Sequence, residues 1–283
     1  MRKSRERGSS VGRSLLAALV TGFAAAVLVV GLLAAHLNAV LLSPTNFSDR
    51  AVTVVRSSSV QSLITDTVTS HLLGYVGAGP SVEPLVSTAV RTAISDPTVI
   101  QGVRDTARSL QSGLTSGTAD TLTFTLPAIG PLIAARIASQ SPAVAAVIAR
   151  VGAITVVSVP IPAGAANALH TLTAVARDWL LILVLAGVLA LLALLIAPRR
   201  RRAVVWLGLG AAVGGLLLAA GYAVGRGLVV GALTAPGAGT TAGVIWRVYL
   251  GGLERTGFVL AAAGLVVALV AALLRPRRQW RAY

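Results

Sequence analysis

The sequence predicts a membrane α-helical protein: four transmembrane helices plus a small α+β extracytoplasmic domain made of helices and a two-stranded βαβ unit. Three observations predict it. Residues 180–197 carry no charged side chain, and four arginines, Arg199, Arg200, Arg201 and Arg202, follow Pro198 at once. Eighteen helical residues rise ~27 Å, close to the ~30 Å of a hydrocarbon core. Three basic segments, residues 1–13, residues 199–202 and the tail from Arg275, each carry +4, and so hold +12 of the formal net charge of +15. Finally, 55% of the residues are hydrophobic and the mean hydropathy is +0.82, well above an ordinary soluble domain.

Each basic segment borders an apolar run. Short arginine-rich segments resist translocation, so all three are expected on the cytoplasmic side. The same distribution excludes a nucleic-acid partner, because no basic helix is interleaved with aromatic side chains. Cysteine is absent. That excludes disulfides, thiolate metal sites and a cysteine nucleophile.

Residues 1–13 read as a basic, unstructured cytoplasmic N-terminus. Residues 14–42 form the first transmembrane helix, about twice the length of a signal-peptide core and without a small-residue cleavage site, hence an uncleaved anchor. His36 lies near its far end and reads as interfacial, not as an intramembrane functional group.

Residues 44–178 are expected to be the extracytoplasmic domain. Eight bases and seven acids make it nearly neutral, as suits a folded domain. Ser58-x-x-Gln61 is a capping-box pattern, followed by Val60, Leu63, Ile64, Val68 and Leu72 on one helical face. Ser81 is placed to cap a second helix, in which Val82, Leu85, Val86, Ala89, Val90, Ala93 and Ile94 keep the 3.6 period. Asp96-Pro97 supplies a capping acid and a first-turn proline, ahead of the stripe Val99, Ile100, Val103, Ala107, Leu110 and Leu114. The pattern then changes. Thr121–Leu126 and residues 154–159 are β-branched runs, predicted as parallel strands joined by a helical crossover that is interrupted near Ser141-Pro142. Residues 163–177 return to helix and are expected to run unbroken into the second span.

The second transmembrane helix is residues 179–198, with Trp179 at its outer edge. Residues 199–202 form a basic cytoplasmic loop. The third helix is residues 203–233, where Gly210-x-x-x-Gly214 and Gly221-x-x-x-Gly225 suit close helix packing. Residues 234–256 read as an outer segment with the turn Pro236-Gly237, in which residues 243–256, carrying Trp246, Arg247, Tyr249, Glu254 and Arg255, suit an interfacial helix or the outer end of a long fourth helix. The fourth helix is residues 257–274, and residues 275–283 form a basic cytoplasmic tail. Both termini are therefore expected inside a plasma membrane.

No catalytic, cofactor or metal-ligating residue is predicted. Gly113-Leu114-Thr115-Ser116-Gly117 is not the serine-elbow pattern, and P-loop and His-x-x-x-His spacings are absent. Asp66 and His71 stand five apart on different helix faces, and they read, with His170, as ordinary surface or core groups. No acid, lysine or histidine falls in the middle of a predicted span, which removes support for ion-coupled transport.

Three stretches carry a resemblance: NFSDRAVTVVRSSSVQSLITDTV, AVRTAISDPTVIQGVRDTARSL, and TLTFTLPAIGPLIAARI followed by ITVVSVPIP and a span closed by PRRRR. In these and in the order of its segments the chain resembles a family of uncharacterised four-span integral membrane proteins from actinobacteria. The resemblance implies localisation and architecture, and no site. The leading functional expectation is a non-enzymatic envelope or accessory protein. Its outer domain would bind another membrane or envelope protein, with the lipid bilayer as the other partner and no cofactor. An extracytoplasmic ligand sensor is the alternative, and a transporter component a more distant one.

Overall fold

The computed structural model describes residues 3–76, 82–116, 121–126, 129–160, 171–197, 200–232 and 238–274. The chain divides into two compact units: residues 1–36, 175–226 and 250–283 in one, residues 37–174 and 227–249 in the other.

The first unit is helical. Its chain belongs to α1 (Lys3–Leu37), α8 (Trp179–Ile196), α9 (Arg200–Ala232) and α10 (Ala238–Leu273). Four stretches are long and apolar enough to cross a membrane: Leu19–Leu42, Trp179–Ile196, Arg200–Gly231 and Gly239–Leu273. The helical membrane class expected from the sequence is thus present.

Several boundaries differ from expectation. The basic N-terminus is helical from Lys3, since Arg, Lys and Glu are good helix formers and no proline interrupts them. Arg200, Arg201 and Arg202 are not a loop but the first turn of α9. Residues 171–177 are helical, yet a turn at Asp178 separates them from α8, so the expected unbroken helix into the second span does not form. Aspartate disfavours a helix interior and favours the N-cap position it takes here. The outer segment 234–256 is helical from Ala238, and α10 runs through to Leu273 without interruption, so residues 243–256 take the second of their two expected forms, the outer end of a long fourth helix, which starts five residues earlier. No proline follows Pro236 in that run, so no backbone donor is missing from the helix. The turn at Pro236-Gly237, the Ser81 cap, residues 163–170 and the tail from Arg275 lie outside the described residues.

Helices α9 and α10 pack antiparallel along small residues. Gly208, Ala212, Gly215 and Ala219 meet Gly257, Ala261, Gly264 and Ala268, each set spaced four, three, four. A Cβ added at Gly208 would stand 2.6 Å from the Gly264 carbonyl oxygen, and one at Gly264 would stand 2.5 Å from that of Gly208. One at Gly215 would stand 2.6 Å from the Ala261 nitrogen. The two backbones touch, and only glycine fits. The predicted pair Gly210 and Gly214 packs elsewhere, against Ala25 and Val29 of α1, so that motif is occupied within the chain. Gly221 meets nothing within 4 Å. At the helix end, Arg201 donates from Nε to the Ala271 carbonyl at 2.6 Å and from Nη2 to that of Ala272. These are terminal carbonyls with no helical partner, at the negative end of the α10 dipole.

The second unit begins with a π-helical turn, Asn38–Leu42. It continues with α2 (Pro44–Val55), α3 (Ser58–Val76), α4 (Glu83–Ile94), α5 (Pro97–Ser116), β1 (Thr121–Leu126), α6 (Gly130–Ile137), α7 (Pro142–Ile148) and β2 (Ile154–Pro160). The three predicted stripes are core faces. Val60, Ile64, Val68 and Leu72, then Val86, Ala89, Val90, Ala93 and Ile94, then Val99, Ile100 and Val103 join one cluster with Leu126, Ile129, Ile133, Ile137 and Ile148. Asp96 caps α5 as expected, its Oδ1 accepting from the Thr98 amide at 2.9 Å. Ser58 does not cap α3. The helix starts one residue earlier in its bonding, with the Ser57 carbonyl accepting from Val60 and Gln61, and the Ser57 hydroxyl turns back to the Val54 carbonyl.

The strands pair, but antiparallel. Leu126 opposes Ile154 and Thr121 opposes Pro160, with an irregularity between Phe124 and Thr125 that leaves Val156 of β2 without an opposite residue. The expected parallel βαβ unit is therefore corrected to an antiparallel pair. The connection holds two short helices, α6 and α7, packed on each other. One crossover helix carries a chain back to where the first strand began; two return it to where that strand ended.

Candidate interaction surface

The second unit builds its surface from α2, α5 and β1, and the placement of these starts at the π-helical turn. The helical run ends at Leu42, and the carbonyls of its last turn have no helical donor. Two amide side chains supply the missing donors: Asn46 Nδ2 to the Ala39 carbonyl at 2.9 Å, and Gln111 Nε2 to that of Leu41 at 2.7 Å. Gln111 is buried on α5, so this bond ties α5 to the chain that enters α2.

Helix α2 is held in turn by residues 227–249. Arg50 donates through Nη1 to the carbonyl oxygens of Val248 and Tyr249, the latter at 3.2 Å. The Tyr249 hydroxyl donates to the Phe47 carbonyl at 3.1 Å, and the two rings stand 5.2 Å apart. Val244, Val248 and Tyr249 pack on the core cluster. None of these was anticipated as part of the domain. The available signal was the Val244-x-x-x-Val248 spacing beside Tyr249, ahead of the last apolar run.

Between α5 and β1 lies an open groove of about 500 Å³. Asp105, Thr106, Ser109 and Gly113 line it from α5, and Thr121, Thr123 and Thr125 from β1. The α5 residues share one face because they recur at helical spacing. The threonines share one face because strand side chains alternate. Asp105 accepts from Arg108 at 2.9 Å and from Gln101 at 3.2 Å, so its charge is met on its own helix. The Thr106 hydroxyl crosses the groove to the Thr125 carbonyl at 3.3 Å. The lining is thus hydroxyl-rich and nearly uncharged. A second, more apolar groove runs between α4 and α6, where Leu85 and Ile137 sit beside Thr88, Arg136 and Gln140. Arg136 reaches Asp96 at 3.8 Å.

The ionisable groups singled out in the sequence do not converge. Asp66 is exposed. His71 packs edge-on against Tyr75, with centroids 5.1 Å apart. In the first unit, a Cβ at Gly252 would meet His36 Cε1 at 2.7 Å. Among the described residues no three His, Cys, Asp or Glu side chains are grouped to hold a metal ion. No protein-family model matches the chain, and comparison with curated proteins and with solved structures yields no match.

Proposed function

We propose that the chain is a multi-pass plasma-membrane protein with both termini cytoplasmic, allied to the actinobacterial family it resembles. Residues 44–178, joined by residues 238–249, form an extracytoplasmic, non-enzymatic module that recognises another membrane or envelope protein. The observation that carries this reading is the open, hydroxyl-lined groove between α5 and β1, a surface with binding chemistry on a unit that has its own core. The three basic segments support the orientation, since each borders a long apolar helix.

Two chimeras test the assignment. In one, residues 203–274 are exchanged for two unrelated spans of matched length and orientation. In the other, residues 44–162 are exchanged for an unrelated folded domain. Co-purifying membrane or envelope proteins are expected to survive the first exchange and be lost in the second; the reverse result places recognition in the spans and overturns the proposal. Orientation is read separately from single cysteines in the cysteine-free chain. Ser112→Cys and Ala238→Cys are expected to react with an impermeant thiol reagent in intact cells, and Ser4→Cys is not.

A further inference from the structure

The first turn of α9 carries three arginines, and their roles divide. Arg201 is engaged within the chain, on the Ala271 and Ala272 carbonyls. Arg202 is exposed and pairs with no acid among the described residues. Helix α9 contains no acid, and the one acid of α10, Glu254, lies ~26 Å along that helix from Ala271. From Arg202 the same face of α9 continues through Trp206, Leu209, Val213 and Leu216. Steps of four, three, four and three residues keep these side chains within ~40° of one line. The face is open, with Trp206 exposed by 61% and Leu216 by 53%. The glycines of this half of α9 lie on other faces and are occupied, Gly208 and Gly215 by α10, Gly210 and Gly214 by α1. A helix of another protein would seat on small residues of that kind. Large aliphatic side chains below an arginine and an indole suit a lipid instead.

The axial spacing matches one leaflet of a bilayer. From Arg202 to Trp206 the helix rises ~6 Å. That is the depth of one interfacial layer, since headgroups add ~10–15 Å in all to the ~30 Å hydrocarbon core. From Trp206 to Leu216 it rises ~15 Å, half of that core. We propose that Arg202 and Trp206 head a binding site for one anionic phospholipid of the adjoining leaflet. The phosphate sits at the Arg202 guanidinium, which has five N–H donors and no acceptor. The ester carbonyls accept from the Trp206 indole N–H, which bonds nothing else among the described residues, and one acyl chain covers Leu209, Val213 and Leu216. Charge selects the headgroup. A zwitterionic lipid brings its own cation to the unpaired Arg202, whereas an anionic lipid does not, and one arginine near such a headgroup favours it about fivefold. Arg200, two residues earlier and so ~160° round the helix, is on another face. The proposal rests on the reading of α9 as a membrane span, and needs neither its orientation nor the recognition module.

The test uses the full chain in phosphatidylcholine liposomes doped with brominated phosphatidylglycerol or brominated phosphatidylcholine. Bromine on an acyl chain quenches an indole it touches, and the share due to Trp206 is the difference between the chain and its Trp206→Phe variant. The anionic lipid is expected to reach half-maximal quenching at about one fifth of the mole fraction that the neutral lipid needs. The preference is expected to vanish in Arg202→Gln, to persist in Arg202→Lys, which keeps the charge, and to persist in Arg200→Gln. Arg202 makes no ion pair within the protein, so its exchange is expected to leave helicity in SDS titration unchanged. If Arg202→Gln nonetheless folds poorly, the comparison of the two lipids in the unaltered chain decides. Equal quenching by the two lipids overturns the proposal, as does a preference that survives Arg202→Gln or that Arg200→Gln removes equally. Weak quenching by both lipids that strengthens as the protein is diluted in lipid assigns this face to a second copy of the chain, and overturns it too. If neither lipid quenches Trp206 at any dilution, the reading of α9 as a span fails with the proposal; equal quenching by both removes the lipid site alone.

Discussion

The two units bury different things. The largest fully buried side chains among the described residues run from Val40 to Ile148, all in the second unit, and are Ile, Leu and Val. The buried positions of the first unit are mostly alanine, such as Ala186, Ala193, Ala212, Ala261 and Ala268, with glycines at the helix crossings. Its large apolar side chains face outward instead, as do Leu181, Leu195, Leu217 and Leu269. The difference teaches which solvent each unit is built for. In water, removing aliphatic surface is the main driving force, and each fully buried Leu, Ile or Val is worth ~1.5–3 kcal/mol. In lipid that force vanishes between helices, and close backbone approach through small residues takes its place.

The largest effect that sharpens this contrast is a cavity in the second unit. Ile133→Ala, at a fully buried position, is expected to destabilise by ~2–5 kcal/mol, measured as accelerated amide exchange across residues 82–160. If the loss were under ~1 kcal/mol, the second unit would not depend on aliphatic packing. Next comes the opposite change in the first unit. Gly264→Ala adds a methyl 2.5 Å from the Gly208 carbonyl oxygen, and overpacking of this kind costs ~1–3 kcal/mol. Gly187→Ala, with nothing within 4 Å, is expected to be neutral. Detergent-to-SDS titration of helicity separates the pair, and equal behaviour of the two would break the comparison. The smallest effect is shared by both units. Asp96→Ala and Arg201→Met each remove a group bonded at a helix terminus and are expected to cost ~1 kcal/mol, read as faster exchange confined to the adjoining turn.

Much of the second unit was legible because its stripes are local. Val86, Val90 and Ile94 recur on one helical face whatever lies elsewhere in the chain, and Asp96-Pro97 signals a helix start by its own chemistry. Helix α2 escaped notice, although Ser43-Pro44 carries the same kind of signal and Ser43 accepts from the Asn46 amide. The strand direction was not legible, because it depends on α6 and α7 packing as a pair, a tertiary fact. That residues 238–249 pack on the second unit was not legible for a related reason. An apolar stripe with Val248 and Tyr249 looks the same whether it leads into a span or covers the core that Arg50 and Phe47 border. The groove itself could be glimpsed only in part. The alternation of Thr121, Thr123 and Thr125 was visible, but nothing local says that Ser109 and Gly113 would face it.

The seam between α9 and α10 has an ambiguity built into its regularity. Gly208 and Ala212 repeat as Gly215 and Ala219 seven residues on, and Gly257 and Ala261 repeat as Gly264 and Ala268. Slide one helix past the other by seven residues, ~10.5 Å, and small residues again meet small residues. Backbone contact alone therefore selects a family of alignments. Arg201 is not repeated in that way. Its guanidinium reaches the Ala271 and Ala272 carbonyls at the end of α10 in one alignment and loses those acceptors in the next, much as a single polar residue fixes the register of a coiled coil. On this view the arginine serves as an index mark for two helices that would otherwise fit together in more than one way.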